Sequence, residues 1–368
     1  MATTFTKHAY RADHLGSFLR PAELLRIRAE KPHSDELRAA EDRAILAVLA
    51  KQKELGFDIF TDGEFRRESF MSDLVDAVDG FTTSDADQRT WKTAAGTPTQ
   101  PLRDVVTQKI SQKRRLTEYE VTFLKANSPG PIKMTLPSAN QFPAIAYRKG
   151  ASEAAYPTYA SFLADVAGII GGELEALAND GVDYIQVDAP RYSYYLDEKW
   201  RDFLRTEYSP DLDMLLDEAI ASDNLGFRKA RKPGVTLAIH LCRGNNRSNW
   251  YASGGYDSIA EKLFNQLDVD RFLLEYDDER SGTFEPLRFV PKGKIVVLGL
   301  ISTKLGGLEK AGDIERLIEK AAKVLPLDQL ALSPQCGFAS MSEGNIISEE
   351  QQWAKMKLVH DVAKKVWG

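Results

Sequence analysis

An alternation along the chain constrains the fold more than any other feature. From Gly56 onward, short runs rich in β-branched and aromatic residues alternate with longer stretches of helical composition, the order expected when crossover helices join parallel strands. The spacing predicts strands at 9–16, 58–61, 132–136, 184–187, 236–241, 271–276, 294–300 and 329–333. The helical segments include 34–55, 152–180, 258–267 and 307–324, and Trp353, Met356, Val359 and Val362 form an apolar stripe on a closing helix at 348–367. Ser34 through Leu37 reads as a capping box opening the first of these helices. About eight strands, with no Gly-x-Gly-x-x-Gly after the first, favour an α/β fold of the (β/α)8 TIM-barrel type over a doubly wound sheet. With 368 residues, 43% of them hydrophobic, the expectation is a single barrel domain over 1–368. The span 81–131 is too long for an ordinary βα loop; it reads as an insertion after the second strand, mixing GTPTQP (96–101) with a basic, helical-looking stretch.

Charge and apolar patterning narrow the partners. A net charge of -6 argues against a general polyanion-binding surface, despite Lys113, Arg114 and Arg115 in a row, so nucleic acid is not expected. No apolar run reaches membrane-spanning length and the first residues hold no apolar core of signal-peptide type, so the expected location is cytoplasmic, without a membrane partner. In a reducing compartment the two cysteines, Cys242 and Cys336, point to metal binding, catalysis or plain burial rather than to a disulfide.

A barrel gathers its working residues at the carboxyl ends of its strands. There the predicted strands place Glu64, Asp188, His240, Cys242, Glu275 and, just after the eighth, Cys336. His240 and Cys242 share one face because strand side chains alternate. One imidazole, one carboxylate and two thiolates from His240, Glu275, Cys242 and Cys336 make a tetrahedral donor set suited to Zn2+. By valence counting such a site carries about one net negative charge, which disfavours water activation and favours lowering the pKa of a substrate thiol. The same residues also suit half-buried wall positions, and Glu64 and Asp188 suit helix caps or ion pairs.

Together these stretches resemble the cobalamin-independent methionine synthase family, particularly short members that hold only the catalytic barrel. The likeness rests on HLGSFLRP (14–21), TDGEFRR (61–67), IQVDAP (185–190), HLC (240–242), Glu275 and PQCG (334–337). It implies zinc held by His240, Cys242, Glu275 and Cys336, and a homocysteine acceptor whose carboxylate and ammonium meet the backbone around Ser17 and the side chains of Glu64 and Asp188. The chain departs from that family in three places. It has room for one barrel where full-length synthases have two, GPIKMTLPS (130–138) lacks the folate-stacking tryptophan, and GLISTK (299–304) lacks the catalytic histidine. His14, at the end of the first strand, is the histidine that remains for general-acid work, with a structural role as its alternative.

The function expected is a zinc-dependent methyl or alkyl transfer to a small-molecule thiol, most simply homocysteine, from a methyl donor other than polyglutamylated methylfolate. An epoxide–thiol transferase, a metal-independent barrel decarboxylase or lyase, and a non-catalytic thiol-binding relative are the alternatives. Tyr192, Tyr194 and Tyr195, with the insertion, are expected to shape the donor pocket.

Overall fold

Six parallel strands form one continuous sheet in a computed structural model that describes residues 10–71, 74–90 and 99–368. They are Lys133–Pro137, Tyr184–Asp188, Thr236–Leu241, Arg271–Glu275, Ile295–Ile301 and Leu330–Pro334, paired in chain order. Almost every strand residue is buried, as expected of parallel strands covered on both faces.

The first two predicted strands complete the ring with single bridges instead of ladders. Ala12 bridges Leu332 and Phe60 bridges Ile132, both in parallel sense. Backbone bonds from Asp13 N to Leu332 O (2.8 Å) and from Lys133 N to Phe60 O (2.8 Å) hold the two segments to opposite edges of the sheet. Between them, Thr61 Oγ1 donates to Gly16 O at 2.8 Å and His14 Nε2 donates to Ile59 O at 3.2 Å. The result is a closed (β/α)8 barrel. Ala9, the first residue of the expected first strand, lies outside the described residues.

Two apolar layers follow from strand alternation. Inward-facing Tyr10, Leu15, Ile59, Tyr184, Ala238, Leu273, Ile295, Val297 and Ala331 fill the barrel, while outward residues such as Ile185, Val187, Ile239 and Leu298 pack under the helices. The long helices fall where periodicity placed them: Asp35–Glu54, Tyr159–Asn179, Ala260–Gln266, Ala311–Ala322 and Glu349–Trp367. Ser34 caps through Leu37 N alone, because Leu37 has no polar group to return the bond. Reciprocal boxes are at Thr158 with Ser161 and at Ser348 with Gln351. A further long helix, Leu212–Ala230, is part of the crossover between the fourth and fifth predicted strands, as the alternation requires.

After the second barrel segment, Val78–Thr90 and Thr99–Gln112 form an antiparallel hairpin. The expected basic helical stretch is therefore strand up to Gln112, consistent with the β-branched Val105, Val106 and Ile110, and the helix begins later, at Glu118–Asn127. The three consecutive basic residues are committed locally. Lys113 pairs with Asp79, Arg114 lies over Tyr119, and Arg115 pairs with Glu173 and Asp180. No helix among the described residues is long and apolar enough to cross a membrane.

Candidate metal centre and substrate cavity

At the carboxyl end of the barrel the fifth strand delivers His240 and Cys242, and the loop after the eighth delivers Cys336. One ligand atom from each lies within 4.8 Å of the others, and all three residues are buried. The cysteines are free thiols. His240 Nδ1 donates to Leu273 O at 3.1 Å, which fixes the ring and leaves Nε2 buried without a partner. An imidazole oriented by a carbonyl and presenting a bare nitrogen beside two thiols is the arrangement a zinc ligand needs. Sharing a hydrogen bond with Cys242 holds the Cys336 thiol well below its ordinary range, and His240 adds to this. The same shared bond, with burial, pushes Cys242 up. Burial works against the charge on His240, but Cys336 and Asp188 overcome it and raise its pKa.

Close backbone approach brings Cys336 into place. Phe338 N donates to Ser17 O at 3.0 Å, and a Cβ at Gly337 would overlap Ser17 Oγ. The loop after the eighth strand is thus pressed against the first.

Glu275 stands apart from the other three. Its carboxylate accepts from Arg243 N (2.8 Å) and Arg280 Nη2 (3.2 Å), with Lys304 Nζ 3.9 Å away. Burial opposes its charge, yet the surrounding cations Lys304, Arg243 and Arg280 hold its pKa below the ordinary carboxylate value.

The cluster opens into a cavity of about 590 Å3, whose wall includes Ser17, Glu64, Asp188 and all three cluster residues. Gly63 and Glu64 both have left-handed backbone, at φ 72° and φ 59°, which for Glu64 costs on the order of 1–2 kcal/mol. This turn aims the carboxylate inward. Glu64 Oε1 accepts from Thr135 Oγ1 at 2.8 Å, and Oε2 is buried without a partner. Gly16, at φ 119°, leaves room for it, since a Cβ there would stand 3.2 Å from Oε1. Asp188 Oδ1 accepts from Gln186 Nε2 at 2.7 Å, and burial raises its pKa to about 7, against the opposing pull of His240.

His14 is a correction to the expectation. It does not line the cavity; its ring packs between Phe18 and Phe57 on the helix side of the first segment. Burial, reinforced by Lys133, lowers its pKa to about 4, so it is a neutral spacer with its Nε2 bonded to Ile59 O. Tyr192, Tyr194 and Tyr195 also leave the cavity wall. Tyr192 donates to Asp223 at 2.9 Å and Tyr194 stacks on Trp200, because the turn after the fourth strand buries these rings among helices. The hairpin does reach the cavity, through Phe81 and Asp104.

Several supporting residues were not singled out from the sequence. Arg67 makes a bidentate pair with Glu120 (2.6 and 2.7 Å) and donates to Thr135 Oγ1, the group that holds Glu64. Arg280 and Lys304 surround Glu275. The three-residue spacing of Glu64 and Arg67 and the two-residue spacing of Gln186 and Asp188 were the available signals. Glu120 gave none, since it comes from a distant helix.

Fold and rim together define a (β/α)8 barrel with an imidazole–thiol cluster at the floor of a carboxyl-end cavity. A family model described as the cobalamin-independent synthase catalytic domain matches residues 15–365, and the chain belongs to that family. It is 38% identical to an uncharacterized Bacillus subtilis protein, YxjH, over 98% of this chain and 96% of that one. It is 26% identical to the methionine synthase of Pyrococcus abyssi, over 88% and 85%. Among solved structures, a putative vitamin-B12 independent methionine synthase from Listeria monocytogenes matches with TM-score 0.71 and 26% identity, over 98% of each chain. A B12-independent methionine synthase from Shewanella sp. W3-18-1 matches in fold with TM-score 0.75 and 21% identity, over 97% of each.

Proposed function

We propose that this protein is a zinc-dependent methyltransferase that moves a methyl group to the thiol of homocysteine. The observation that carries the reading is the convergence of His240, with its orphaned Nε2, Cys242 and Cys336 on the floor of the cavity. This donor set fits zinc, and the family supports it. His240, Cys242 and Cys336 would hold the ion, and Glu275 is the fourth candidate, drawn aside here by Arg280 and Lys304. When bound, zinc lowers the pKa of a thiol so that it reacts as thiolate near neutral pH.

The remaining work falls to the chain's own residues. Glu64, with one free carboxylate oxygen, and Asp188 supply negative charge for an amino acid's ammonium. The backbone around Ser17 faces the same cavity and suits the carboxylate. Thr135 and Gln186 hold the two acids in place, so little reorganisation is needed when the substrate arrives. Metal analysis of purified protein with calorimetric titration of homocysteine tests the reading. One zinc per chain and thiol binding with proton release are expected; a metal-free protein that neither takes up zinc nor binds homocysteine overturns it.

A further inference from the structure

The described wall of the cavity is strongly biased in charge. Beyond Glu64 and Asp188 the described residues of the wall include the acids Glu68, Asp76 and Glu343, and the basic side chains among them are Arg191 and His240. Arg191 is partly engaged: it donates to Tyr194 Oη and lies over the rings of Tyr194 and Tyr251, at 4.8 and 5.1 Å, while its buried Nε has no acceptor and suits a carboxylate carried by the substrate.

A second feature points the same way. The side-chain oxygens of Gln141, Asn245 and Asn246 are buried in this wall with no donor. The orientation of Asn245 follows from its neighbour, because its Nδ2 donates to Gly337 O at 2.8 Å and the carbonyl can only accept. Buried acceptors without donors call for a ligand that brings positive charge or N–H groups. Between the floor and the acidic rim the wall is soft and aromatic, with Phe70, Met71, Phe81, Phe142 and Met341. Aromatic faces with nearby carboxylates are the surroundings that methylated cations prefer.

Resting on the methyltransferase reading above, we propose that the methyl donor is a small methylated onium cation, a sulfonium or a quaternary ammonium. The acceptor's thiolate sulfur attacks the methyl carbon, forming the new C–S bond. The breaking bond's electron pair stays on the donor heteroatom, which leaves as a neutral sulfide or tertiary amine. The thiolate's negative charge and the cation's positive charge disappear together, and the only proton released is the one the thiol gave up on binding. No general acid is required, which agrees with a wall in which His240, itself in the cluster, is the one histidine among the described residues, and with His14 turned away. An anionic folate tail would meet the acidic rim instead.

The test uses the full-length, zinc-loaded chain with homocysteine and a donor panel: S-methyl-L-methionine, trimethylsulfonium, glycine betaine, methyltetrahydrofolate triglutamate and methylcobalamin. Transfer from one or more onium donors is expected, and the active ones distinguish sulfonium from quaternary ammonium. The triple variant Glu68→Gln, Asp76→Asn, Glu343→Gln should raise KM for the cationic donor about 10-fold with kcat nearly unchanged, since rim charges act on encounter and binding. Tetramethylammonium should compete with the donor but not with homocysteine. Homocysteine binding with transfer from methylfolate or methylcobalamin alone, or with no transfer from any onium donor, overturns the proposal while leaving the thiol site standing. Failure to bind homocysteine at all would count against the methyltransferase reading itself.

Discussion

The two ends of the barrel interior both bury charge, but they treat it differently. At the amino end Asp13 is fully engaged: Lys133 Nζ and His14 N donate to Oδ1 at 2.9 and 2.8 Å, and Tyr184 Oη donates to Oδ2 at 2.9 Å, with Arg271 4.0 Å away. Burial opposes its charge, yet Lys133 and Arg271 hold the Asp13 carboxyl below its ordinary range. At the carboxyl end His240 Nε2, Glu64 Oε2 and the amide oxygens of Asn245 and Asn246 are equally buried and have no partner. Leaving a buried polar atom unmatched costs about 1–3 kcal/mol. A chain that fully matches the Asp13 carboxylate at one end and leaves several site atoms open at the other has a structural floor and a site built for a ligand.

Breaking the satisfied end should give the largest effect. Lys133→Met leaves the Asp13 charge short of its closest counter-ion and should cost about 3–5 kcal/mol of stability by denaturant unfolding, with zinc content unchanged. A loss of metal alongside would erase the distinction between the two ends. At the open end, Cys336→Ala should weaken zinc retention by about 100-fold or more, measured by chelator competition, while the melting profile of metal-free protein shifts little. Full zinc retention in that variant would remove Cys336 from the ligand set.

Asp223 is an intermediate case: a buried carboxyl held by the hydroxyls of Ser138 and Tyr192 and by the backbone at Ala139, with no counter-ion among these partners. Burial raises its pKa from 3.8 to about 6. Between these values the folded protein holds a proton that the unfolded chain has lost, so this group's contribution to stability falls as pH rises from about 4 to about 6 and is level above. Asp223→Asn should flatten that slope, an effect of about 3 kcal/mol seen in unfolding curves across the window. An unchanged slope would mean that the acid is ionised throughout. Smallest is Glu64→Gln, which keeps the shape but removes the charge; homocysteine should bind about 10-fold more weakly by calorimetry, while thiols lacking an amine are unaffected. Equal losses for both kinds of thiol would take the ammonium role away from Glu64.

Much of the fold was legible because it depends on periodicity. The third to eighth strands lie within a few residues of their expected places, since continuous apolar runs such as 295–301 bury both faces of a parallel strand. The hairpin is not legible in the sequence because Gln108, Lys109 and Gln112 suit a helix by propensity, whereas pairing with a strand more than twenty residues away, as between Gln112 and Val78, makes this stretch β. His240 and Cys242 declared themselves by local spacing, and Cys336 by its scarcity.

What the sequence alone determined is therefore the barrel, the end at which the chemistry gathers, and the short-range pair His240 with Cys242. Direction and company were decided only in three dimensions. Pairing of the first segment with Leu332 sets Asp13 and Leu15 inside the barrel, so the intervening His14 faces out against Phe18 and Phe57. Glu275 belongs to the right rim, yet Arg280 and Lys304 draw it from the cluster. Glu64 is oriented through Thr135 and Arg67 by Glu120, a residue from another element. The reason is physical: alternation sets which face a side chain leaves from, but its final aim depends on which distant charge or ring occupies the space it enters.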